Sequence, residues 1–227
     1  YEISECLVGS EMCIRDRADK DGSVTVLTMG PPKLEGPLLE LLARGANRAV
    51  LITDRLMAGA DTRATARALA SAAEKLGPFD AVFCGCKAID GETGQVPGEL
   101  AAALGLPCIS NAEKVEAAGD ELLVTRRLED GVQNLTVSGS AMVSFSSYSY
   151  PLRLAGILGM RRARKTPVEI LTAADLGLTP EDCGLKGSLT KVVAMESRFP
   201  GLRRGPKETD LDAGVQNLRV LLREVRP

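Results

Sequence analysis

The sequence predicts an α/β protein: a parallel sheet with helices on both faces, an antiparallel extension and a carboxyl-terminal helical arm. Three observations predict it. Short β-branched or apolar runs alternate with helical stretches from residue 23 to residue 105. The connections between them are only a few residues long, as in consecutive β-α-β units. Beyond residue 115 the texture changes to short runs divided by Asp-Gly and Gly-Ser, which punctuate hairpins.

Residues 23–28 (SVTVLT) alternate as a strand and stop at the turn Met29-Gly30-Pro31-Pro32. Residues 36–44 read as a short helix with Gly45 as its stop. Residues 48–53 (RAVLIT) form a continuous apolar run, the mark of a strand buried on both faces. Asp61 caps a helix that continues to Leu76 and closes at Gly77-Pro78. Residues 80–84 (DAVFC) are the third strand, and residues 95–104 the next helix, ended by Gly105. Residues 108–115 read as a strand. Residues 121–127, 132–137 and 141–145 then read as an antiparallel extension, with Asp130-Gly131 as a hairpin turn. Tyr150-Pro151 opens an irregular stretch that ends in the basic run of residues 161–165. Residues 172–175 (TAAD) resemble a capping box, residues 189–195 a strand, residues 198–207 a linker and residues 210–225 an amphipathic helix.

Composition removes several function classes. Lys plus Arg is 28 and Asp plus Glu is 30, a net charge of −2, whereas nucleic-acid and membrane surfaces call for a basic excess. The chain has no histidine, which excludes His-based triads and nearly all zinc sites. It has no tryptophan and only 3% aromatic residues, too few for base-stacking platforms. The six cysteines form no CxxC pair, so the chain reads as a protein of a reducing compartment, the cytoplasm, with no disulfide framework and no metal site. No apolar run reaches the ~18 residues of a membrane span. The opening residues lack a basic start followed by an apolar stretch, so no secretory signal is expected. The first 17 residues include LVGSEMCIRDR, which resembles translated sequencing adapter, and they are expected to be non-native or disordered. Residues 18–197 are then the main domain and residues 198–227 the linker and arm.

Two loops carry candidate chemistry. Residues 84–97 leave the carboxyl end of a strand and enter a helix, the place where open α/β sheets bind ligands. Gly85, Gly91 and Gly94 allow close backbone approach. Thr93, Gly94 and Gln95 lie at a helix start, where free N–H groups and the helix dipole favour a phosphate. Asp90 and Glu92 suit ribose hydroxyls or a capping role. The second loop runs from Asp54 to Thr65 after the preceding strand. Arg55 suits a phosphate, Asp61 a cap, and Thr62 and Thr65 share the first helical turn. Each loop alone is also compatible with an ordinary capped βα turn. Two of them at one sheet edge favour a nucleotide pocket. Cys84 and Cys86 form a CxC that reads as a buried strand end rather than a metal site. No nucleophile with a paired base is visible, so no catalytic residue is assigned.

The segments VTVLTMGPPK, LLARGANRAVLITD, AGADTRAT and LGPFDAVFCGCKAIDGETGQVPGELAAALGLP, followed by RRLEDG and TAADLGL, resemble the β subunit of electron transfer flavoproteins, including the FixA-like and bifurcating relatives. The resemblance runs from about Val24 to Val193. It implies a Rossmann-like, adenine nucleotide alpha hydrolase-like domain that pairs with an electron transfer flavoprotein α subunit. It implies that electrons pass from acyl-CoA or other dehydrogenases, or from NADH, to a quinone reductase, a ferredoxin or a flavodoxin, without membrane insertion. The β-subunit pocket holds AMP in respiratory members and a second FAD in bifurcating ones. The residues that match the pocket are Met29, Gly30, Asp54, Arg55, Asp61, Thr62, Thr65, Cys84, Gly85, Asp90, Gly91, Glu92, Thr93, Gly94, Gln95 and Val96.

Only Gly91 and Glu92 separate Asp90 from Thr93, where the AMP-binding members of the family usually carry a longer acidic loop, so the resemblance leans towards FAD. Lys87 stands where the family usually has Gln, and Val96-Pro97-Gly98 replaces its Val-Gly-Pro. Residues 154–157 match the partner-recognition loop, with Leu154 as the apolar anchor, Ile157 beside it, and Arg161 and Arg162 steering acidic partners. The family's central first strand has no counterpart in this sequence, so the chain is expected to be unstable alone. The alternative reading is a universal-stress-type regulatory module that binds ATP or AMP and dimerises with itself.

Overall fold

The computed structural model describes residues 22–88, 91–146, 154–193 and 209–224. Two compact units divide the chain, the first ending at Lys191 and the second beginning at Val192.

In the first unit β1 (Thr25–Met29) and β2 (Arg48–Ile52) flank helix α1 (Glu35–Arg44). Helix α2 (Thr62–Leu76) leads to β3 (Ala81–Gly85), and helix α3 (Val96–Leu104) leads to β4 (Cys108–Ala118). Then come β5 (Glu121–Leu128), β6 (Gly131–Ser138) and β7 (Ala141–Phe145). A short helix α4 (Ile157–Ala163), β8 (Glu169–Leu171) and the single turn α5 (Gly184–Gly187) complete the unit. The second unit contributes one amphipathic helix, α6 (Leu211–Glu224). Among the described residues, no helix is long and apolar enough to cross a membrane.

Local chemistry sets these boundaries. The Asp61 carboxylate accepts from the Ala64 N–H and caps α2. Pro97 occupies the first turn of α3, where its missing N–H costs nothing. Gly105 ends α3 at φ 65°, a left-handed stop that returns its N–H to Ala101 and Ala102.

The strands fall into two sheets. β1, β2 and β8 are parallel, in that order, and β2 is fully buried from Ala49 to Ile52. The other sheet runs β3-β7-β4-β5-β6. β3, β7 and β4 are parallel there, while β4, β5 and β6 form an antiparallel meander. β4 serves both parts. Cys108 and Ile109 pair with β7, and after an irregularity Lys114 to Ala118 pair with β5.

Helix α2 joins the two sheets. Ala68 and Ala72 pack against Val50, Ile52 and Leu171 of the first sheet. Ala66 and Ala70 pack against Leu100 and Ala101 of α3 and Met142 of β7. Leu69 is half-buried against both groups. Alanine gives α2 two close-packing stripes and the highest helix propensity. Elsewhere α4 crosses α1 so closely that a Cβ on Gly159 would collide with the Ala43 carbonyl.

Four elements depart from the sequence reading. Residues 141–145 are not part of the antiparallel extension; β7 is the central parallel strand between β3 and β4. Its buried sequence AMVSF suits that place, since parallel strands are covered on both faces. Residues 157–163 are helical rather than irregular, with Gly156 at the cap. Residues 189–193 are not a strand, and Met195 lies outside the described residues. β8 is an additional strand that the sequence reading missed, because three residues are too short for a readable period. The capping box at residues 172–175 is present: Asp175 accepts from the Thr172 N–H and hydroxyl, and the Asp175 N–H donates back to Thr172.

Replacing Ala70 by Leu forces α2 away from α3 and costs about 1–3 kcal/mol by overpacking. Urea unfolding of the full chain measures this as a lower midpoint, and an unchanged midpoint contradicts the packing described.

Candidate functional site

The two candidate loops meet at the first turns of α2 and α3. The Thr62 hydroxyl lies 3.2 Å from Gln95 Oε1 and 3.2 Å from Glu99 Oε1. One hydroxyl has one proton, so it donates to one of these oxygens. With the Gln95 amide turned over, a continuous chain forms: the amide donates to Thr62, and Thr62 donates to the Glu99 carboxylate. The other Glu99 oxygen, Oε2, is buried and has no hydrogen-bond partner. A buried, unsatisfied carboxylate oxygen is costly.

The backbone around this contact is open. Residues 91–95 are exposed, and Glu92 and Gly94 adopt positive φ of 49° and 63°. Gly94 needs this freedom, while Glu92 holds it as a strained non-glycine residue. The Glu92 N–H closes a turn onto the Ala88 carbonyl, and Lys87 pairs with Glu92 at 3.4 Å. Thr93, Gly94 and Gln95 lead into α3, and Val96 is its first residue. Cys84 and Gly85 end β3, and the Cys84 thiol lies 3.9 Å from the Met142 sulfur. The next amide, on Cys86, donates to the Phe145 carbonyl. Asp90 lies outside the described residues.

In the loop after β2, Asp54 uses its carboxylate on the backbone. It accepts from the Leu56 N–H at 3.0 Å and from the Ala173 N–H at 3.2 Å, tying β2 to the segment after β8. Arg55 is exposed beside it. Asp61 is likewise engaged with backbone groups. Burial alone would raise its pKa. The N–H of Ala64, the N–H and hydroxyl of Thr190 and the N–H of Leu189 outweigh this and hold its carboxyl below the ordinary value. Thr65 is half-buried in the first turn of α2. Met29 and Gly30 end β1 level with Ile52, and the Gly30 N–H donates to the Ile52 carbonyl. They share the sheet edge of Asp54 and Arg55.

The residues beside the two loops that sequence reasoning missed are Glu99, Ser188 and Thr190. Glu99 lies on the Thr62-facing side of α3, four residues after Gln95, a helical spacing that the sequence does display. Ser188 and Thr190 are distant in sequence and gave no signal. Among the described residues, no group of His, Cys, Asp and Glu could hold a metal ion. Burial raises the pKa of the Cys183 thiol, with the Asp182 and Asp54 charges adding to it, and burial alone raises that of Cys108. Neither is an activated thiolate.

The residues expected to dock a partner stand at the surface. Leu154 is 85% exposed, Ile157 74% and Leu158 79%. Arg161 is exposed, whereas the Arg162 guanidinium reaches back to the Leu42 carbonyl at 3.3 Å. Part of its donor capacity is thus spent holding α4 to α1.

An α/β domain with two helix amino termini converging beside strand ends defines a nucleotide-binding class of protein. The comparisons with known proteins are specific. The electron transfer flavoprotein domain matches residues 14–176. The electron transfer flavoprotein subunit beta of Thermoanaerobacterium thermosaccharolyticum is 44% identical over 211 residues, covering 92% of this chain and 80% of the relative. Protein FixA of Azorhizobium caulinodans is 39% identical, covering 91% of this chain and 75% of the relative. Subunit CarD of the caffeyl-CoA reductase-Etf complex of Acetobacterium woodii is 37% identical, covering 74% and 64%. The chain belongs to the electron transfer flavoprotein family.

The depressed carboxyl of Asp61 carries a pH signature. Its contribution to stability is present above the ordinary value of 3.8 and is lost as the pH falls below it towards the folded-state value. Asp175 and Asp182, held down by hydrogen bonds from Thr172 and Thr179, act in the same direction. Urea midpoints measured from pH 6 downwards are expected to drop below about pH 4. Asp61→Asn is expected to flatten that drop, and an unaltered slope would contradict the assignment.

Proposed function

We propose that the chain is the β subunit of an electron transfer flavoprotein and holds a nucleotide between the first turns of α2 and α3. The observation that carries this reading is the contact of Thr62 with Gln95 and Glu99, which brings the two candidate loops to one place. The amino terminus of α3, which carries no side-chain cap, favours phosphate there. Arg55 is an exposed cation after β2, whose sheet is separate from that of β3, so the two loops meet across two sheets and not along one sheet edge as the sequence suggests. The exposed backbone of residues 91–95 leaves room for such a ligand.

The nucleotide is FAD in this proposal, with AMP as the competing occupant. The short loop between Asp90 and Thr93 supports FAD, since the AMP-binding members that the sequence resembles usually carry a longer one. A bound flavin supplies the capacity to take up a hydride and release electrons singly. The protein groups bind its phosphates, orient its ribose and shape the surface on which partners dock. The partners are an electron transfer flavoprotein α subunit, a dehydrogenase that meets the exposed Leu154 and Ile157, and an acceptor such as a ferredoxin, a flavodoxin or a quinone reductase. The universal-stress-type reading gives no role to the β4–β6 meander or to α6.

Co-expression with the α subunit, followed by denaturation and counting of released cofactors, tests the proposal. Two FAD and no AMP per heterodimer are expected. One FAD with one AMP would replace the FAD assignment by AMP, and no bound nucleotide would overturn the reading. Leu154→Asp is expected to weaken electron transfer from the dehydrogenase at least ~10-fold through KM, as loss of an anchor does. The cofactor count should stay unchanged, and an unaltered KM would contradict the docking assignment.

A further inference from the structure

Asp61 serves two structures at once. One oxygen, Oδ1, accepts from the Ala64 N–H at 3.0 Å and caps α2. The other, Oδ2, accepts from the N–H of Leu189 at 2.8 Å, the N–H of Thr190 at 2.9 Å and the Thr190 hydroxyl at 3.1 Å. The Asp61 N–H donates to the Ser188 hydroxyl oxygen at 2.8 Å, and that hydroxyl donates onward to the Gly184 carbonyl at 2.6 Å. Below this clasp α5 is wedged tightly. Gly184 sits at φ 52°, and a Cβ there would strike the carbonyls of Leu56 and Ala58.

The place of the clasp gives it meaning. The first compact unit ends at Lys191, one residue past Thr190. Leu189 is 74% exposed, Val192 80% and Val193 97%, so burial contributes little to holding this segment. Hydrogen bonds to one carboxylate hold it instead. The residue after Asp61 is Thr62, which contacts Gln95 and Glu99 of the nucleotide loop and its helix. The Thr65 N–H donates to the Asp61 carbonyl, so the whole turn is one hydrogen-bonded piece.

We infer that Asp61 is a positioning residue that ties residues 188–190, at the end of the first unit, to the nucleotide-facing turn of α2, so that nucleotide binding and clasp closure favour one another. The coupling rests on the nucleotide reading proposed above; the clasp itself rests on the hydrogen bonds around Asp61. A ligand that orders residues 61–65 lowers the cost of holding residues 188–190. By linkage, a closed clasp raises ligand affinity by the same factor.

The test uses the full chain and the double variant Ser188→Ala/Thr190→Val, which leaves the nucleotide loop untouched. Trypsin cleaves after Lys191, immediately beyond the clasp. Without ligand, cleavage there is expected to be about tenfold faster in the variant, from the loss of hydroxyl hydrogen bonds. With AMP or FAD as probe, the wild-type chain should be protected at Lys191, and the variant should bind the same probe at least ~3-fold more weakly. Restoring the hydroxyls with Ser188→Thr/Thr190→Ser should recover both properties, which a general loss of stability would not explain. Equal cleavage of wild type and variant overturns the clasp. Faster cleavage with unchanged probe affinity overturns the coupling. A wild-type chain that binds neither probe overturns the nucleotide reading and the coupling with it, and the cleavage comparison then still judges the clasp separately.

Discussion

The rest of the structure depends on the small-residue packing of α2. This one helix touches the β1-β2-β8 sheet through Ala68 and Ala72, and α3 and β7 through Ala66 and Ala70. Alanine at those positions lets two sheets and a second helix approach a single axis. The approach is what brings Thr62, at the start of α2, to Gln95 and Glu99 at the start of α3. A helix with larger side chains on either stripe would hold the two turns apart. Packing deep in the unit therefore determines the geometry of a site at its edge.

Carboxylates do two kinds of work around that site. Asp54 and Asp61 are consumed by backbone N–H groups and act as fasteners, one to the segment after β8 and one to residues 189–190. Glu99 differs, since one of its oxygens is buried with no partner.

Much of this was legible in the sequence, and the exceptions have physical causes. The β-α-β order, the Asp61 cap, the Gly105 stop and the TAAD capping box are local signals, and each appears at its expected residues. The strand at residues 141–145 was legible as a strand but not as a parallel one. Its partners β3 and β4 lie far away in sequence, and strand direction is set by long-range pairing rather than by composition. β8 was invisible because three residues carry no period. The two loops were identified as converging. The residues that join them or fasten them elsewhere, Glu99, Ser188 and Thr190, are revealed only by tertiary contact. Asp61 was legible as the cap of α2, but its second set of bonds, to Leu189 and Thr190, was not.

The central claim is that one nucleotide binds where the first turns of α2 and α3 meet. Amide hydrogen exchange on the full chain, with and without saturating AMP or FAD, tests it most directly. The account predicts protection concentrated in residues 61–66 and 91–97, with smaller changes along β5 and β6. Protection confined to other elements, or none at all, would contradict it.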